Sequence, residues 1–193
     1  NLVSRPTQGT FGLADSWVVS PGDPYSSTLY YRMAKVGRGR MPHFGSQVVD
    51  ESGIRLIHDW IEQLAAEPSG PDIREATPEE KAAADKLKTA NESSLLLLTG
   101  GFGVKPQLQD AAIDRLLSST QGALMLSSFL RGFGRDLSPA IQKNSIARGV
   151  AHPDPQVRDL FEPFIPEDQR IQRLGNSINR AEILVLRGDA ERG

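Results

Sequence analysis

The chain has 193 residues, a net charge of −2 and a pI near 6.0, with 38% hydrophobic and 24% charged residues. That composition supports a folded chain with a modest or divided core, and its near-neutral charge leaves no basic field to hold nucleic acid or an anionic membrane surface. The absence of cysteine excludes disulfides, thiolate metal sites and cysteine nucleophiles within the chain. The longest run of strongly apolar residues, Leu95-Leu96-Leu97-Leu98, falls far short of the roughly 20 residues of a membrane span.

Residues 1–24 are rich in Gly, Pro, Ser and Thr and read as loop, with Trp17-Val18-Val19 as a short extended piece. Asp23 and Pro24 are suited to the N-cap and N1 positions of a helix over Tyr25 to Val36, in which Leu29, Met33 and Val36 form an apolar stripe ended by Gly37. A second loop follows over 37–47. Asp50 then caps a helix from Glu51 to about Ala66, whose apolar face is Ile54, Ile57, Ile61 and Leu64, widened by Trp60. Residues 68–77 read as a linker, because Pro and Gly break the pattern there. Thr77-Pro78-Glu79-Glu80 carries a capping box with Pro at N1 and starts a solvated helix over 79–90. Helical stretches are expected at about 92–98, 107–119, 121–131, 138–150, 154–162 and 179–187. No segment alternates as a strand does, and no clean repeat period is present. The fold class is therefore mainly α. Both ends of the chain read as cuts from a longer protein.

One set of residues resembles a known family. Gly22-Asp23-Pro24, Leu29-Tyr30-Tyr31-Arg32-Met33, Gly39-Arg40-Met41-Pro42, Val48-Val49-Asp50-Glu51 and Ile57-His58-Asp59-Trp60-Ile61 resemble, in order and spacing, the second half of c-type cytochrome domains in large secreted proteins of planctomycetes and related bacteria. Further on, Val157-Arg158-Asp159-Leu160-Phe161-Glu162, Arg173-Leu174-Gly175 and Ile183-Leu184 followed by Gly188-Asp189-Ala190-Glu191-Arg192-Gly193 resemble the helical region of the same proteins. The resemblance implies an incomplete cytochrome-c-like helical unit over residues 1–67. It also implies an irregular helical array over 78–193 that leads towards a further cytochrome domain. It implies haem c as cofactor, other cytochrome or dehydrogenase domains of the parent protein as partners, and a periplasmic or otherwise extracytoplasmic location. The C-x-x-C-H motif that attaches such a haem is not in this chain.

Met41 is the sharpest candidate. A thioether is a soft ligand that suits haem iron opposite a histidine and raises its reduction potential, and Pro42 disfavours helix at Met41. By resemblance Met41 is the counterpart of the axial methionine. Its plainer role is that of core filler. Arg38 and Arg40 flank it and could pair with haem propionates, or simply be solvated. Trp60 and Tyr30-Tyr31 would pack against a haem edge, or form ordinary core. His43, His58 and His152 are better read as surface or packed residues than as ligands. Thr99-Gly100-Gly101-Phe102-Gly103 lacks the Lys and Ser/Thr of a phosphate loop and reads as a connection. No catalytic constellation is visible: Asp23, Asp50, Glu51 and Asp59 are accounted for by caps and surface, so no enzyme activity is expected. Two functions remain open, namely electron transfer with Met41 facing iron, and a haem-free helical spacer or interaction module between redox domains.

Overall fold

The computed structural model describes residues 3–42, 48–65, 77–100, 103–133 and 137–171. His43, the Gly101-Phe102 pair, most of the 68–77 linker, the 179–187 helix and the motifs after residue 171 lie outside these.

Among the described residues there are seven α-helices and no strand: α1 (Thr28–Ala34), α2 (Glu51–Gln63), α3 (Pro78–Thr99), α4 (Pro106–Leu117), α5 (Thr120–Leu130), α6 (Pro139–Val150) and α7 (Pro155–Phe161), with a 3₁₀ turn over Pro24–Ser26 before α1. The extended piece at Trp17 survives as an isolated bridge to Ser27. Several helix starts are fixed by side-chain caps. Asp23 accepts from the Tyr25 amide, Asp50 from Gly53 and Asp154 from Gln156. Thr77 and Glu80 exchange both bonds of the capping box, at 3.2 and 2.8 Å. Because the first three turns of α3 are almost entirely exposed, that box carries their stability. Thr77→Ala is expected to cost about 1 kcal/mol and to raise amide exchange in the first turn of α3 while leaving its C-terminal half protected.

The break expected after Ala90 is absent, and α3 runs through it. Asn91, Ser93 and Ser94 are weak helix formers, but Asn91 and Ser94 are buried, and the Ser93 and Ser94 hydroxyls donate back to the Thr89 and Ala90 carbonyls. The two serine hydroxyls are thus satisfied without leaving the helix, and packing of Leu95 and Leu98 overrides propensity.

Residues on both sides of 66–76 enter one buried cluster that includes Val19, Tyr30, Tyr31, Ile54, Ile61, Leu95, Ile113, Leu124, Leu160 and Phe161. Helix α1 sits inside it. The Tyr30 hydroxyl meets Ser128 Oγ of α5 at 2.7 Å, with the Ser128 proton given to the Leu124 carbonyl, so Tyr30 is the donor. Tyr31 donates to the Gln156 carbonyl, and Gln121 of α5 donates to Ser26. At the end of α1, the buried Arg131 guanidinium donates to the Ala34 carbonyl at 2.9 Å and pairs with Glu51 at 3.1 Å, which ties α1, α2 and α5 together.

Candidate functional site

The loop between α1 and α2 is built by hydrogen bonds that fold it back on α1. Met41 donates its amide to the Arg32 carbonyl, and Arg32 Nε donates to the Gly39 carbonyl, both at 2.8 Å. Gly39 has φ of +81°, and a Cβ there would come within 3.0 Å of the Phe11 ring; glycine is what allows the turn. The Met41–Pro42 peptide is cis.

This loop and the start of α2 enclose a cavity of about 320 Å³ lined by Met33, Lys35, Arg40, Met41, Pro42, Val48, Val49, Asp50 and Ile54. Met41 is 36% exposed. The walls combine hydrocarbon, two thioethers and two cationic side chains. Lys35 is held from behind: its ammonium lies 3.3 Å from Asp159 of α7 and donates to the Tyr31 hydroxyl at 3.2 Å. The Asp50 carboxyl is held below the ordinary carboxylate range, first by the Gly53 amide and then by the Ser52 hydroxyl. A depressed carboxyl contributes to the fold above its unfolded pKa, and that contribution is lost as pH falls through the folded value. The start of α2 is therefore expected to loosen below the ordinary carboxylate range, read as loss of the downfield Gly53 amide shift in an NMR pH titration, with Asp50→Asn flat over the same range.

The expected site residues separate in space. Met41 and Arg40 share the cavity, while Arg38 is exposed and does not line it. Trp60 is 38% exposed on α2, and the position on the inner face is taken by His58, which is only 8% exposed. Ile54, His58 and Ile61 follow the i, i+4, i+7 line of the helix, whereas Trp60 is rotated off it. Tyr30 and Tyr31 are fully buried against α5 and α7, and burial raises both phenol pKa values, that of Tyr30 to about 12 despite its bond to Ser128. His152 caps a turn by accepting from the Asp154 amide. Sequence reasoning missed Lys35, and its signal was faint: one lysine directly after a short apolar helix. A larger cleft of about 650 Å³ between the N-terminal loop and α3, lined in part by Arg5, Leu13, Glu80 and Leu87, brings no reactive set together.

Tested against haem, the residues present fit one side only. Met41 offers a sulfur at the cavity wall, and Arg40 a cation beside it. The described lining holds no imidazole, and the chain has no cysteine for covalent attachment. In comparisons with protein-family models, with curated proteins and with solved structures, nothing matches the chain.

Proposed function

We propose that the chain is part of an extracytoplasmic electron-transfer protein, in which Met41 is the counterpart of an axial methionine facing a haem attached elsewhere in the parent molecule. The observation that carries this reading is the placement of Met41 in the wall of an apolar cavity beside Arg40, on a loop pinned to α1. Haem bound there would supply one-electron chemistry. Met41 would present a soft donor that favours the reduced iron, and Arg40 would pair with an anionic edge. The half-exposed Trp60 lies on a different face of α2, where an adjoining cytochrome or dehydrogenase domain could cover it.

A haem titration of the purified chain, followed by visible absorbance, tests the reading. The expected result is a spectral change in the wild type that Met41→Ala removes. A wild type without spectral change, or a Met41→Ala variant that behaves identically, favours a second reading. That second reading is a haem-free helical spacer or interaction module, and a specific observation speaks for it. Tyr30 and Tyr31, the aromatics a haem edge would need, are already fully packed against α5 and α7.

A further inference from the structure

Helix α2 carries a second cluster that the Met41 cavity does not use. His58 is held by aromatic groups on several sides: its ring stacks on Phe133 at 5.0 Å and 10°, and meets the Tyr25 and Tyr30 rings at 5.7 and 5.5 Å. Its Nε2 lies 3.3 Å from the Tyr25 hydroxyl, which burial keeps firmly protonated. Its Nδ1 faces Asp59 Oδ1 at 3.1 Å. Glu62, one turn further along α2 and exposed, brings its carboxylate into the same group, with ligand atoms of all three residues within 4.8 Å of one another.

We propose that His58, Asp59 and Glu62 form a binding site for a divalent transition ion of the zinc class. Three features point this way together. The donor set is one imidazole and two carboxylates, which suits zinc-like ions rather than calcium or magnesium, whose sites are built of oxygen. The spacing is compatible with one ion: ligands about 2.1 Å from a tetrahedral ion stand roughly 3.4 Å apart, and Nδ1 lies 3.1 Å from Asp59 Oδ1 with all three ligand atoms within 4.8 Å of one another. The third feature is a ready-made outer shell. In the tautomer whose Nε2–H donates to the Tyr25 hydroxyl, Nδ1 offers its lone pair on the side of the carboxylates, and the stacked Phe133 ring fixes the ring's direction. Asp59 also lines an open groove with Arg55 and Phe133, so a bound ion would keep access to water or a small ligand. This site is independent of the haem reading.

Isothermal titration of the metal-free chain with zinc chloride at neutral pH tests the assignment, with calcium chloride as the comparison ion. One zinc per chain is expected, weakened at least tenfold by Glu62→Gln and by Asp59→Asn, with no calcium binding at the same site. His58→Gln should abolish binding, but His58 is buried, so the exposed Glu62→Gln variant is decisive. Absence of zinc binding in the wild type, unchanged affinity in Glu62→Gln, or equal affinity for calcium would overturn the assignment.

Discussion

Asp159→Ala is expected to destabilise the protein by about 3–5 kcal/mol, because it removes the carboxylate that lies beside the buried Lys35 ammonium. The two side chains are 3% and 5% exposed and 3.3 Å apart, so the pair is largely shielded from water. The pair joins the end of α1 to α7, beside the amide of Val36 donating to the Asp159 carbonyl at 3.1 Å. Removing both charges should behave differently. A buried ion pair must offset the desolvation of both ions, so a Lys35→Met, Asp159→Leu double variant is expected to lie within about 2 kcal/mol of the wild type. Urea denaturation of the two variants and the wild type checks both statements. A single variant as stable as the wild type would show that Lys35 can reach solvent or another anion.

Gly149→Ala has the second largest expected effect, and here two terms oppose each other. Alanine inside a helix should stabilise α6 by up to about 1 kcal/mol relative to glycine. The added Cβ, however, would coincide with the Phe161 ring, which is fully buried at the end of α7. Overpacking of this kind costs about 1–3 kcal/mol, and more where the neighbour cannot move. Phe161 also lies against Phe164, with ring centroids 6.4 Å apart, and has little room to yield. The net expectation is a loss of about 2 kcal/mol in chemical denaturation, recovered in part by Phe161→Leu in the Gly149→Ala background. A Gly149→Ala variant more stable than the wild type would mean that α6 and α7 separate readily.

The helices and their starts could be read from the sequence wherever the signal is local. Asp50 before Glu51, and Thr77 three residues before Glu80, are complete within one turn of chain, and both caps form as the residue types dictate. The depth of burial was harder to read. Of the expected stripe, Leu29 and Met33 lie on α1 and are partly buried, but the helix ends at Ala34, short of Val36, and its deepest residues are Tyr30, Tyr31 and Ala34. A seven-residue helix that packs on α2 and is bonded to α5 and α7 through Tyr30 and Tyr31 has no single apolar stripe. Which face lies deeper depends on residues about 100 positions away, such as Ser128 and Gln156. Trp60 and His58 show the same limit: hydrophobicity alone favours the tryptophan as core, while the helix angle and the aromatic pocket around Phe133 bury the histidine. Of the candidate site, Met41 and Arg40 were identifiable as a pair from their motif. Lys35 was not, because its place in the cavity wall depends on Asp159, far along the chain.

The reduction potential of the haem-loaded chain, compared with that of Met41→His, tests the central reading most directly. A thioether ligand favours ferrous iron more than an imidazole does, so the account predicts a lower potential for Met41→His than for the wild type. Equal potentials in the two proteins, or a wild type that takes up no haem, would contradict it and leave the chain as a helical module supporting redox domains built elsewhere.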